Sequence, residues 1–395
     1  MDRLAVEGGR PVRAALLPYG HQMIDDDDVQ AVTETLRSGW LTTGPKVEEF
    51  EKAFAASVGV SHAVAVTNGT AALHACMAAL HIGPNDEVIV PALAFVACAN
   101  CVVFQGGRPV FADVDPSTLL LDPAQVEAKI TPRTKAIVAV DYTGLPCDYD
   151  ALRSVADHAR IAVVADACHA LGGSYKGRLA GSLGDLNVFS MHPVKHITTG
   201  EGGMITTDNP AFAQHLRVFR NHGIASDHRQ RELVGSWYYE MEELGYNYRL
   251  TDIQCALGLS QLKKLTHWID RRRQIAGMYA SAFSSLQEIE LPALPPERDH
   301  AWHLFVIRLQ LQRLRVGRAE VFRALRAENI GVNLHYIPVP WHPFYQRLGY
   351  AKGQWPVAEA AYERIISLPM WPGMTDEDVQ DTIAAVRKVI AAYRK

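Results

Sequence analysis

Hydrophobic and polar positions follow two rhythms along this chain. Between residues 60 and 210, short apolar runs alternate with longer stretches of helical spacing. The runs lie at 62–66, 87–91, 109–113, 135–140, 161–165, 187–191 and 203–207. They are rich in Val, Ile and Ala without strict alternation, as strands buried on both faces are. Stretches 70–83 and 148–160 between them read as helices. The pattern predicts a mostly parallel sheet with helices on both faces. Two helices precede it. One spans 25–39, with its acidic run Asp25–Asp28 in the first turn, where carboxylates suit the helix dipole, and Gly39 placed to end it. The other starts at Pro45, a favoured first helical residue.

A polar, aromatic stretch at 221–251 breaks the alternation, and one long helical region follows at 250–283. Beyond it a smaller α+β unit is expected, with strands at 303–309 and 331–337 and helices at 318–330 and 375–393. Two domains are expected: residues 1–260, an arm and a large α/β domain, and residues 261–395, a linking helix and a small α+β domain.

Composition narrows the function classes. Of 395 residues, 48% are hydrophobic and 21% charged, which is ordinary for a globular protein with a large core. A net charge of −4, with no basic stripe, argues against nucleic acid as a partner. No apolar run is long enough to span a membrane. The first twenty residues hold no long apolar stretch, so a cytoplasmic location is expected. Six cysteines are too few for a disulfide scaffold, and Cys76, Cys98, Cys101 and Cys255 read as small core residues.

Four spots could carry chemistry. In VTNGTAALHA a strand runs into a tight loop and a helix opens at Thr70, so free amides there could cradle a phosphate, with Gly69 allowing close approach. Asp166 directly follows an apolar strand, at the sheet edge where open α/β folds bind ligands. His169 lies three residues on; the two alone are a weak metal pair. Lys195 sits in a loop between Pro193 and a Gly-rich turn, where partial desolvation would make its amine a nucleophile. Asn247 and Arg249 stand between aromatics just before a helix. Each has a plain structural reading: a capped helix start, a capping aspartate, a solvated lysine, a loop. Together they offer an anion cradle, a carboxylate and a lysine after three strands of one domain. Pyridoxal phosphate needs all three.

The chain resembles the DegT/DnrJ/EryC1/StrS family of sugar aminotransferases, in SGWLTTGPKVEEFE, TNGTAALHA, ADACHALG, FSMHPVKHITTGEGG, FRNHGI, GYNYRLTDIQCALG and NLHYIPVPWHPFY. The resemblance implies the type I (aspartate aminotransferase-like) fold and pyridoxal 5'-phosphate as cofactor. It implies that Lys195 forms the Schiff base and moves the proton, and that Asp166 pairs with the pyridinium nitrogen. His169 would lie near the ring hydroxyl, and Phe95 would stack on the ring. Gly69, Thr70 and Ser190 would bind the phosphate, and Asn247 would reach it from a neighbouring subunit of a homodimer. The substrate would meet Tyr19, the segment Gly39, Trp40, Leu41 and Thr42, the segment His335, Tyr336, Ile337 and Pro338, and also Gly69, Ser190 and Asn247.

The implied reaction is transfer of an amino group, with L-glutamate as donor, to C4 of a nucleotide-linked 4-keto-6-deoxy sugar. VKHITTGEGG and VDYTGLPCDYDAL resemble the pseudaminic acid branch, which implies UDP-2-acetamido-2,6-dideoxy-β-L-arabino-hex-4-ulose as substrate. Perosamine-, bacillosamine- or L-Ara4N-type keto sugars are alternatives, as is a DegT-like regulatory role. By composition, Arg220, His222, His228 and Arg229 are candidates for holding the nucleotide diphosphate.

Overall fold

The computed structural model describes residues 3–226, 231 and 235–395. Its centre is a seven-stranded sheet of β1 (His62–Val66), β2 (Glu87–Pro91), β3 (Arg108–Ala112), β4 (Thr134–Val140), β5 (Ala162–Asp166), β6 (Leu186–Ser190) and β7 (Gly203–Thr207). The order across the sheet is β1-β7-β6-β5-β4-β2-β3. Neighbours from β6 to β3 pair in parallel, while β7 runs antiparallel to both β1 and β6. Each of the seven strands expected between residues 60 and 210 is present, with bounds moved by a residue at most. The strands are almost wholly buried, which explains the missing alternation.

The crossover helices Gly69–Ala79, Ala97–Phe104 and Tyr149–Ala159 pack on this sheet and leave the carboxyl ends of the parallel strands facing one cavity. The helix predicted over 25–39 spans Asp26–Arg37. Asp25 and Asp28 close a capping box at its start and ion-pair with Lys264, so the acidic run anchors a helix. Ser38 ends the helix one residue before Gly39.

The structure corrects two expectations. The single helix over 250–283 is two, Asp252–Leu262 and Leu265–Phe283, broken at Lys263 and Lys264. Residues 331–337 form no strand. The Val332 amide turns back to the Ile330 carbonyl and that of Leu334 to the Asn333 side chain, leaving one bridge from Asn333 to Ser367. The partner strand of Phe305–Leu309 is instead Ile365–Leu368, a four-residue run too short to stand out in sequence.

The C-terminal sheet has a core of its own. Leu4 and Leu17 from the N-terminal arm join it with Tyr279, Phe305, Val386 and Ile390. The arm thus crosses to the far unit and carries Tyr19 to the cavity mouth, where its carbonyl accepts the Met370 amide. No helix of the described residues is long and apolar enough to cross a membrane.

One buried group makes a stability test. Asp141 directly follows β4, beside the end of β5, and its amide donates to the Asp166 carbonyl. Its Oδ1 accepts from the Cys147 amide and the Tyr149 hydroxyl, while Oδ2 has no partner. Burial raises its pKa to about 7. The folded value lies above the unfolded one, near 3.9, so the folded state binds the extra proton and loses stability as pH rises between about 4 and 7. Asp141→Asn keeps the Oδ1 bonds and cannot ionise. Its melting temperature should match wild type at pH 4 and exceed it by a few degrees at pH 8. Equal curves at both values would show that Asp141 does not titrate there.

Candidate active site

A cavity of about 600 Å³ lies at the carboxyl ends of the parallel strands. Gly69, Thr70, Phe95, Asp166, His169, Ser190 and Lys195 all line it, with Tyr19, His335 and Tyr336.

Its floor is built by local rules. β1 ends at Val66, and Asn68 caps the next helix by accepting the Ala71 amide at 2.8 Å. The cap leaves the amides of Gly69 and Thr70 without partners at the positive end of the helix. A Cβ on Gly69 would stand 3.0 Å from Ser190 Cβ and 3.2 Å from Cys168 Sγ, so a side chain there would fill the cradle.

Asp166 ends β5 and is buried. Its carboxylate accepts one hydrogen bond, from the Cys168 amide at 3.2 Å. Burial pushes its pKa up, and Cys168 and the Lys195 charge pull against that. A buried carboxylate so thinly satisfied calls for a cationic partner.

Lys195 stands in a loop that crossing hydrogen bonds hold still. Its own amide donates to the His192 carbonyl, and both the Thr199 amide and the Thr198 hydroxyl donate to the Met191 carbonyl. The side chain is half-buried and makes no ion pair or hydrogen bond among the described residues. Burial pushes its ammonium below the ordinary lysine value. His196 beside it is buried, its Nε2 bonded to the Ala301 carbonyl, whereas His192 is exposed at the cavity wall.

Phe95 is 54% exposed, an open aromatic face in the cavity. Opposite runs a wall from the C-terminal unit. Tyr336 Oη lies 3.1 Å from His169 Nε2, and His335 Nδ1 lies 2.8 Å from Ser367 Oγ. Tyr142, wholly buried, donates its hydroxyl to the His335 carbonyl. Burial holds the imidazoles of His169 and His335 neutral, the latter at about 3.

Other expected residues lie elsewhere. Gly39, Trp40, Leu41 and Thr42 do not line this cavity, and neither do Asn247, Ile337 and Pro338. Thr42 is bridged to Thr251 and Asn247 to Asn221, and Asn247, Trp40, Leu41 and Ile337 are exposed. Arg220 is not free for a phosphate: its guanidinium is ion-paired with Glu51 and bonded to the Ala65 carbonyl, closing the outer edge of β1. With Arg217 and Arg249 it borders a separate cavity of about 570 Å³. His222 is exposed in a turn after the helix Pro210–Phe219. His228 and Arg229 lie outside the described residues. Sequence reading missed Cys168 and His303, which line the cavity, and Tyr142, which holds the His335 carbonyl behind it. A signal existed for Tyr142, which lies two residues after β4 as Cys168 lies two residues after β5.

The open cradle, the thinly satisfied carboxylate and the unpaired amine suit a ligand with a phosphate, a protonated ring nitrogen and a carbonyl. Such a ligand makes this cavity the site of a pyridoxal phosphate enzyme of the type I fold. The chain belongs to the DegT/DnrJ/EryC1/StrS aminotransferase family, whose model matches residues 22–387. It is 46% identical over 381 residues to the spore coat polysaccharide biosynthesis protein SpsC of Bacillus subtilis, covering 96% of this chain and 98% of that one. Among solved structures, it is similar to the sugar aminotransferase Spr1654 of Streptococcus pneumoniae in its PMP form. That match has a TM-score of 0.90 at 32% identity and covers 95% and 99% of the two chains. The same protein in its PLP form matches at 0.89. Helicobacter pylori PseC, an aminotransferase of pseudaminic acid biosynthesis, matches at 0.89 with 30% identity, covering 96% and 100%. The protein is a sugar aminotransferase, and its cofactor is pyridoxal phosphate.

Proposed function

We propose that this aminotransferase moves an amino group from L-glutamate to C4 of a nucleotide-linked 4-keto-6-deoxy sugar. The observation that carries the reading is the unpaired Lys195 amine in one cavity with the Asp166 carboxylate and the open helix start at Gly69. When bound, pyridoxal phosphate supplies an electron sink and a carbonyl that carries the amino group from donor to acceptor. The amides of Gly69 and Thr70, with the Ser190 hydroxyl, hold its phosphate. Asp166 would hold the proton on its ring nitrogen, Phe95 would cover the ring, and His169 would meet the ring hydroxyl. Lys195 gives and takes the proton at the reacting carbon in both half-reactions, which its depressed pKa favours. Tyr19, His335 and Tyr336 form the wall against which the sugar is placed and water is kept out.

Similarity to PseC supports UDP-2-acetamido-2,6-dideoxy-β-L-arabino-hex-4-ulose as the substrate and UDP-4-amino-4,6-dideoxy-N-acetyl-β-L-altrosamine as the product. The greater identity to SpsC favours a second reading, a keto sugar of another cell-surface polysaccharide. Incubation with L-glutamate and a panel of nucleotide 4-keto and 3-keto sugars, read by mass spectrometry, separates them. Product from the UDP-L-arabino ketone alone supports the first reading. Product only from another ketone overturns it, and no product from any 4-keto sugar overturns the C4 assignment. The same reading places the enzyme in the cytoplasm, where nucleotide sugars are made.

The working unit is a homodimer in which Asn247 of the partner subunit completes the phosphate site. Asn247 is exposed and turned from its own cavity, and Trp237, Tyr238, Tyr239, Met241 and Leu244 before it are all more than half exposed. So large an apolar surface suits burial against a second copy. A mixing experiment tests this. Lys195→Ala and Asn247→Asp are each inactive or weak alone. A mixed dimer would hold one doubly damaged site and one intact site. Co-refolding should therefore restore activity to about a quarter of wild type, since about half the dimers are mixed. A mixture no more active than its separately refolded components would show that Asn247 acts within its own subunit.

A further inference from the structure

His303 is the most conspicuous polar side chain in the molecule without a task. It precedes the strand Phe305–Leu309, lines the cavity beside Lys195, and is only 4% exposed. Its Nδ1 is buried with no hydrogen-bond partner, and its Nε2 has none among the described residues. A buried polar group left unsatisfied costs stability, so such groups are rare and ask for an explanation.

The surroundings keep this imidazole still. Arg272, itself buried, donates to the carbonyls of Trp302, His303 and Met370. The Ala301 amide donates to the Gly144 carbonyl and the Leu304 amide to that of Thr143, pinning the backbone on both sides. The His169 ring lies 4.3 Å from the His303 ring, and the His196 ring 5.5 Å away. The backbone is therefore fixed and the ring is packed against its neighbours before any ligand arrives.

The surroundings also set its charge. Burial, with Lys195, His169, His196 and Arg272 around it, keeps the imidazole neutral. A neutral imidazole carries one proton. An orphaned buried N–H is rarer than an orphaned acceptor, so the proton belongs on Nε2 rather than on the sealed Nδ1. With cations nearby, a further cation is excluded as a partner, and a negatively charged oxygen is favoured.

We infer that His303 is a ligand-binding residue of this active site, whose Nε2–H donates to an anionic oxygen bound in the cavity. Two sources share that chemistry: the ring oxygen of the cofactor and a carboxylate of the amino donor. The inference rests on the aminotransferase reading above. If wild-type protein forms no visible absorption band with pyridoxal phosphate, that reading fails, not this one.

The test compares His303→Phe, which keeps a ring but no donor, with His303→Gln, which keeps a donor. The cofactor-loaded proteins are titrated with pH by absorbance, without substrate, and the KM for L-glutamate is then measured. If the ring oxygen is the acceptor, the phenylalanine variant moves the midpoint of the band by about one pH unit or more, as loss of a hydrogen bond to a charged group would. If the carboxylate is the acceptor, the midpoint stays and KM rises about tenfold or more. In either case the glutamine variant lies closer to wild type. Unchanged midpoint and KM in the phenylalanine variant overturn the inference. So do equal changes in both variants, which mean packing alone. If the phenylalanine variant does not fold, His303→Ala with and without added imidazole replaces it. Recovery on adding imidazole supports the inference, and no recovery overturns it.

Discussion

Lys195→Ala lowers transamination by about 10⁴-fold or more, the upper end of what a positioned acid–base group contributes. The argument is one of position and charge. The loop from Met191 to Gly202 is tied across itself by the Met191, Thr198 and Thr199 bonds, so the lysine reaches the cavity from a fixed base. Its amine has no carboxylate in contact, and burial favours the uncharged nucleophilic form. No other lysine lines the cavity, and none can replace it. Folding should survive, because the side chain gives up no ion pair or hydrogen bond on removal. Two further measurements isolate the role. Borohydride treatment of the loaded wild type should leave the cofactor's mass on the peptide holding Lys195, and on no peptide of the variant. A small primary amine in the buffer should restore part of the lost rate. A variant that turns over keto sugar at the wild-type rate would remove Lys195 from the mechanism.

The sequence made the large domain legible because its strands are buried on both faces, and a solid apolar run such as Val88–Val90 leaves few other readings. Gly69, Asp166 and Lys195 were legible for a related reason. In a parallel sheet, residues just after strands share one edge, so three separate loops converge without any contact being known. The C-terminal unit was harder. Gly331–Ile337 alternates like a strand, yet the amides of Val332 and Leu334 bond locally, and the strand that exists, Ile365–Leu368, is only four residues long. His303 was hidden because it opens an apolar run and reads as a strand's first residue. Asn247 and the Gly39–Thr42 segment came from family resemblance alone. Their own chain keeps them away from its cavity, so no pattern read along that one chain ties them to it.

Asp166→Asn should lower the rate by at least ~100-fold while leaving the fold at least as stable. The two effects have opposite causes. The carboxylate is buried, accepts one hydrogen bond from the Cys168 amide, and has its pKa raised by burial, so in the folded apo protein its charge is a burden. Because the folded value lies above the unfolded one, that burden is absent at low pH and grows as pH rises through the folded value. Asparagine removes it and can still accept from Cys168. The apo variant should therefore melt at or above the wild-type temperature at pH 8, and close to it at pH 4. Catalysis moves the other way. A neutral amide cannot hold a proton on the cofactor's ring nitrogen, and an unprotonated ring is a poor electron sink. Every 1.36 kcal/mol lost from the transition state is about tenfold in rate, so losing one buried charge–charge contact is enough for the expected fall. Asp166→Glu keeps the charge but lengthens the arm in a packed site, and should fall between the two. The two measurements must be made on the same protein, because a slow variant that also melts early has lost its fold rather than its chemistry. If the asparagine variant works at near the wild-type rate, the carboxylate after β5 has some other partner, and the cofactor's place in the cavity must be redrawn.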